Sequence, residues 1–374
     1  MPYIGGTSSM LKHVKISEKQ FIVLLSLYII GSAILVIPSI IVSIAKQDAW
    51  ITSILTLVIA LGILPLYIAL GKRYPTMLFT EFTEEILGKW IGKVFSIIFL
   101  TFPVIAGSLT LYNIGDFIIT QVMPETPIVP IYVFVLSVSL FGVRLGLEVL
   151  ARSGEILFPW VIALFSLLVL FLTKQINFDH FQPFFTMGLR PIFISTVHFL
   201  TFPFLDTVVF LMIFPYVKWT SKKRTPVYIG TLIGGVFLII IIFLCVLVLG
   251  VDQTSTRLSP TYLLAKEINV TNFITRIEVI VAIIWFISIF FKLSILLFVL
   301  NLGVAQLFNL TTYRFLTLPL GLLFLASSNI FVPNGPFLGS YTLTTSPFYT
   351  GTIGFALPFL LFVIDGIKKK LVDS

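Results

Sequence analysis

The sequence predicts an all-α polytopic membrane protein of about ten transmembrane helices, laid out as 5+5 inverted repeats with the first and sixth helices broken. Three observations predict it. The 374 residues are 58% hydrophobic and 11% charged, and a soluble domain of that balance could not cover its surface with polar groups. The apolar residues form long unbroken runs, not the short alternating segments of a membrane β-barrel. Lys and Arg fall mostly on alternate connecting segments, as they do when a chain weaves through a bilayer.

The helices are expected near 21–44, 50–70, 90–120, 127–142, 156–173, 190–214, 226–249, 274–305, 314–331 and 343–367. The first, from Phe21 to Ser43, carries no charge and at about 34 Å is long enough to cross a bilayer. Gly31-Ser32 interrupts it, and Pro38 follows. The third and eighth runs are long enough to tilt or to extend beyond the bilayer; the fourth is short. The outer segment 250–273 holds Pro260-Thr261-Tyr262 and Ala265-Lys266-Glu267, a short helix expected at the membrane surface. The uncharged stretch 332–347, with Pro333, Gly335, Pro336, Gly339 and Pro347, reads as a loop. Asn269-Val270-Thr271 matches a glycosylation sequon that recurs by chance and carries no weight.

Residues 1–20 are polar and basic and have no cleavage site for a signal peptide, so they read as a cytoplasmic segment. Residues 21–367 then form one permease-like domain and 368–374 a cytoplasmic tail. Seventeen of the 24 Lys and Arg lie on the side of the termini; Lys46, Lys174, Arg190, Arg257, Lys266 and Arg276 lie on the other. That places both termini in the cytoplasm. The net charge of +8 is therefore mostly topology. The cluster Lys222-Lys223-Arg224 also suits anionic lipid, and nucleic acid is not expected as a partner.

Five helices per half is an odd number, so the second half runs inverted to the first, the LeuT-like plan of many transporters. The sixth helix then matches the first. It contains Leu200-Thr201-Phe202-Pro203 at its middle. Pro203 removes a backbone donor and pushes Phe202 out of helical geometry, and proline suits the first turn of a new helix. Both breaks thus fall at matching places.

The breaks give the candidate binding site. N–H groups of Ser32, Ala33 and Ile34, freed beside Gly31, would begin a half-helix whose positive end attracts a carboxylate. Carbonyls of Phe199, Leu200 and Thr201, beside Phe202, would end another and attract an ammonium. Together they suit a free α-amino acid. The bulky neighbours Tyr28, Phe202 and Phe204 suit a small or apolar side chain. Asp206 stands in the first turn after Pro203, where it can cap free N–H groups or handle ligand or proton. Lys292 lies mid-helix in an apolar run. It either pairs with Asp206, Asp116 or backbone carbonyls, or it replaces a transporter's coupling cation. Asp116, beside Asn113, is expected near the outer surface, His198 as a packed histidine, and Asp365 at the interface. Arg276 and Glu278 open the eighth helix and are expected to pair with other groups near the outer surface.

Enzyme chemistry is not expected, because HExxH, P-loop and GxSxG motifs are absent. Three His and one Cys make a structural metal site improbable, and no cofactor is expected.

In order, the chain carries Lys15-Ile16-Ser17 with Gln20, Gly31 and Pro38, Gln47-Asp48-Ala49-Trp50, and Leu87-Gly88-Lys89. Then come an acid after the second break with Pro215 downstream, Ser259-Pro260-Thr261 with Ala265-Lys266-Glu267-Ile268, and Arg276-Ile277-Glu278 followed by Trp285 and Lys292. In this order and spacing the chain resembles the spore germination B subunit family (endospore germination permease), of the amino acid–polyamine–organocation superfamily, over nearly its whole length. It departs from the family's Gly-Phe-Glu after the second break, having Pro203-Phe204-Leu205-Asp206 there. The resemblance implies a multi-pass subunit of a nutrient-germinant receptor in the spore inner membrane. It implies a small germinant such as an amino acid, and assembly with an A subunit and a lipoprotein C subunit. The alternative is a proton- or cation-coupled amino acid permease, which needs the same pocket.

Overall fold

The computed structural model describes residues 14–183, 185, 188–220, 224–267 and 278–373. Lys222, Lys223, Asn269-Val270-Thr271 and Arg276 fall outside the described residues, as does most of the expected N-terminal segment.

Ser17 opens α1 (Glu18–Ile30) with a capping box. Its hydroxyl accepts from the Gln20 N–H, and the Gln20 side chain accepts from the Ser17 N–H. Two donors orphaned at a helix start are satisfied in this way. α1 stops at Gly31 (φ 19°, ψ −126°) and α2 (Ala33–Ala45) begins two residues later. A turn at Lys46–Asp48 leads into α3 (Ala49–Arg73). Then follow α4 (Phe79–Leu87), α5 (Lys89–Gln121), α6 (Ile128–Leu145) and α7 (Leu147–Leu172).

The second half starts with α8 (Leu189–Phe199). It opens into a π turn over Leu200–Phe204, with Phe202 non-helical (φ −130°, ψ 110°), and resumes as a 3-10 helix over Leu205–Met212. α9 (Thr225–Leu244), α10 (Gly250–Thr256), α11 (Pro260–Lys266), α12 (Glu278–Leu307) and α13 (Thr317–Phe331) follow. The last crossing is entered through α14 (Gly335–Thr344) and α15 (Ser346–Gly351) and completed by α16 (Leu357–Asp373).

Nine helical runs among the described residues are long and apolar enough to cross a membrane. The first, Ala33–Arg73, has 41 residues, about 60 Å of helix and twice the hydrocarbon thickness. It doubles back at Lys46–Asp48, and its first part completes the crossing that α1 begins. Ten crossings result, with the first and sixth broken. The two broken crossings touch: α2 packs on α8, and α1 on the Leu205–Met212 segment.

Two expectations need correction, and two gain detail. The fifth crossing starts at Leu147, nine residues before the expected 156, because Gly146 at φ 100° turns the chain in one residue. The stretch 332–347 is not a loop throughout. Asn334 accepts from the Phe337 N–H and Pro336 fills the first turn of α14, so residues read as breakers start a helix instead. The short helix α11 packs into the protein, with Thr261, Tyr262, Leu264 and Ala265 buried. Asp365 is also buried. It accepts from Arg73 and Tyr74, both at 2.6 Å, and pairs with Lys369 at 3.3 Å.

The burial of α11 has a chemical reason. Pro38 has no N–H, so the Ile34 carbonyl lacks its helical donor. The Thr261 hydroxyl supplies one, at 2.6 Å. Thr261→Val is expected to cost about 1–3 kcal/mol by leaving that buried carbonyl unpaired. Adding Pro38→Ala restores an N–H and should recover most of the loss. Thermal unfolding of the two variants in detergent checks this; equal melting points would sever the link.

The face bearing the termini is closed. Ile16-Ser17 pairs in parallel with Val217-Lys218, and the Lys15 ammonium donates to the Pro215 carbonyl at 2.7 Å. Glu18 accepts from the N–H and hydroxyl of Thr220, both at 2.7 Å. Arg224 donates to the Gly71 carbonyl and lies over the Trp219 ring. Burial lowers the Arg224 pKa to about 10, which leaves it charged at neutral pH.

Candidate functional site

Lys292 stands midway along α12, and 1% of its surface is exposed. An ammonium buried alone there would be strongly unfavourable. Its Nζ meets Asp206 Oδ2 at 3.1 Å and lies over the rings of Phe202 (4.3 Å) and Tyr28 (5.2 Å). A carboxylate and two π faces thus stand around one cation. The Tyr28 hydroxyl also donates to the Asp206 carbonyl at 3.4 Å. Tyr28 is in α1, Phe202 at the second break and Asp206 just beyond it, so the lysine joins both broken crossings to α12.

The lysine stem runs across the first break. A Cβ on Gly31 would stand 2.7 Å from the Tyr28 carbonyl oxygen and 2.8 Å from Lys292 Cδ. Gly31 therefore breaks the helix and also clears the path of the lysine.

Beside this cluster is a cavity of about 630 Å³, its open mouth included. Ser32 just before α2, Val36 of α2, Phe202, Asp206 and Lys292 form part of its wall; α5, α14 and α15 supply the rest. A second cavity of about 1000 Å³ adjoins it. The two share Ser32, Val36, Asn113, Leu338 and Thr342. The second continues past Asp116 and Trp285 to Arg257 and Leu258, on the face away from the termini. The indole N–H of Trp285 is buried with no partner among the described residues. The site is open on that side and closed on the other.

Of the residues expected at the site, Ser32, Phe202, Asp206 and Lys292 line the cavity. Gly31 lies under the lysine stem. The side chains of Ala33, Ile34 and Phe199 are fully buried. The Leu200 carbonyl accepts from the Leu205 N–H, and the Thr201 hydroxyl turns back to the Val197 and His198 carbonyls. Asp206 does not cap a helix: its carboxylate goes to Lys292, and the segment around it is a 3-10 helix where an α half-helix was expected. Ser32 at the start of α2 makes no side-chain cap bond, so the first turn of α2 begins uncapped at the cavity wall. His198 is half-buried beside the Thr342 backbone.

Sequence reasoning missed the walls from α5, α14 and α15. The only available signal was the hydroxyl-rich run 340–350, SYTLTTSPFYT, uncommon in so apolar a chain.

A family model described as spore germination protein matches residues 15–335. Spore germination protein KB of Bacillus subtilis (strain 168) is 27% identical over 365 residues, covering 96% of this chain and 97% of that one. Spore germination protein YndE of the same organism is 24% identical over 358 residues, covering 95% and 98%. Among solved structures, MhsT in complex with L-phenylalanine superposes with a TM-score of 0.67 at 14% identity, covering 94% of this chain and 98% of that one. A Na⁺-coupled sialic acid symporter in a substrate-bound outward-open state gives 0.65 at 12% identity, covering 96% and 81%. At such identities the structural likeness concerns the fold, which is LeuT-like.

Proposed function

We infer that this chain, which belongs to the spore germination protein family, is the multi-pass membrane subunit of a nutrient-germinant receptor. The germinant is a free amino acid bound between the two broken crossings. The observation that carries the reading is the cavity at the uncapped start of α2, beside a buried Lys292–Asp206 pair. The germinant's carboxylate meets the N–H groups of Ser32, Ala33 and Ile34, where the helix dipole favours negative charge. Its ammonium turns to the carbonyl end of α8 at Phe199, Leu200 and Thr201, and Phe202 covers it. Gly31 keeps the break clear. Lys292 is a fixed positive charge where a transporter carries a coupling cation, and Asp206 holds it in place. That MhsT, a relative in fold, is seen in complex with L-phenylalanine supports the ligand class.

Binding shifts the balance between conformers, and an A subunit and a lipoprotein C subunit read the shift. The termini lie in the cytoplasm and the membrane is the spore inner membrane. The site then opens away from the cytoplasm, where a germinant arrives.

A germination panel tests the reading. Spores with the chain are expected to respond to particular amino acids, and spores without it are not. Amino acids that trigger both alike would remove the receptor function. Net uptake of labelled amino acid by the isolated chain would favour a permease instead.

A further inference from the structure

Lys292 and Asp206 neutralise one another, and among the described residues no other charged one lines the first cavity. Its remaining wall is not apolar. Thr110 and Asn113 of α5, Tyr341 of α14, Ser346 and Thr350 of α15 all line it, and their side-chain polar groups have no hydrogen-bond partner among the described residues. This separates them from the hydroxyls around them. Thr342 donates to the Leu338 carbonyl, and Tyr349 pairs with Thr101 at 2.7 Å. Ser108, one turn from the α5 pair, donates to Val104. In an apolar chain, serine and threonine ordinarily settle on their own helix in that manner. Five groups that do not, gathered on one cavity wall, are left for a ligand.

We propose that this wall is the side-chain subsite of the germinant pocket and that it selects an amino acid with an uncharged polar side chain, amide or hydroxyl. The inference rests on the amino acid reading above. An apolar side chain would displace water from five polar groups and return no hydrogen bond. A charged side chain would arrive without a counter-charge, since the one ion pair is already satisfied internally. An amide or hydroxyl both donates and accepts. Asn113 offers the same pair of functions, and Tyr341, Ser346 and Thr350 offer hydroxyls that rotate to either role. Tyr28, Phe202 and Phe204 suit a small or apolar side chain; the hydroxyl-bearing wall narrows this to a polar one.

The test compares germination of spores with and without the chain on matched pairs of amino acids: asparagine against leucine, glutamine against methionine, threonine against valine, serine against alanine. Chain-dependent response is expected for the polar member of at least one pair, at a concentration roughly tenfold or more below its apolar partner. Tyr341→Phe with Ser346→Ala, which removes two hydroxyls and little volume, should narrow that gap by roughly tenfold while leaving protein levels unchanged. Preference for the apolar members, or a gap that the double variant leaves intact, would overturn the polar subsite and leave the receptor reading standing. If no amino acid response depends on the chain, the amino acid reading falls, and the subsite with it.

Discussion

Spores carrying Lys292→Ala are expected to contain little of the protein and to lose its nutrient response. The alanine removes the partner of a carboxylate that is 3% exposed, and breaking a buried pair on one side costs about 3–5 kcal/mol. That loss alone would not separate a structural lysine from a functional one. The pair Lys292→Met with Asp206→Asn does. It removes both charges and nearly keeps the volumes, so it avoids the lone buried charge that makes the single substitution costly. The double variant should therefore return the protein to the membrane at near-normal level. If Lys292 acts as the fixed cation of the site, the response stays at least roughly tenfold weaker although the protein is present. A double variant with normal level and normal response would make the pair purely structural.

Gly31→Leu is the second large effect. Even the first carbon of a side chain there would stand 2.8 Å from Lys292 Cδ. Leucine must push the lysine stem off the break or bend α1, and overpacking of this kind costs about 1–3 kcal/mol. Most of a membrane protein's packing survives that, so levels should stay near normal. The response should fall roughly hundredfold, because the ammonium moves relative to Asp206 and the cavity wall. Immunoblots of spore membranes and a dose–response curve read both quantities. A normal dose–response would remove Gly31 from the site.

What could be read from the sequence and what could not divide along a physical line. Residues that delete or misdirect a backbone donor announce themselves. Gly31 and Pro203 mark both breaks, and the structure has non-helical backbone at Gly31 and at Phe202. A charge in an apolar run is equally visible, so Lys292 and Asp206 stand out in the sequence, and their pairing is one of the expectations it raises. Features that depend on which face of an apolar helix looks inward were not legible. α5 gives no such clue, because apolar residues face both lipid and protein in a membrane. Thr110 and Asn113 could not be assigned to the cavity without the fold. Proline and glycine in 332–347 misled because they suit a helix start as well as a loop. The early start of α7 was hidden because Glu148, Arg152 and Glu155 look like connecting residues, although charged turns of a helix can project beyond the bilayer.

The two-residue pairing of Ile16-Ser17 with Val217-Lys218 is small in area but governs what motions are possible. α1 begins immediately after the first strand, and the second follows the segment that carries Asp206. The halves of the two broken crossings that meet the face of the termini are thus yoked at their ends. Neither can swing alone without unzipping the yoke and releasing Lys15 from Pro215 and Glu18 from Thr220. A ligand that touches only one of them still pulls on both, and what emerges at that face is one joint displacement. A protein seated there would need to sense a single coordinate, the position of the yoke, to know whether the distant cavity is filled.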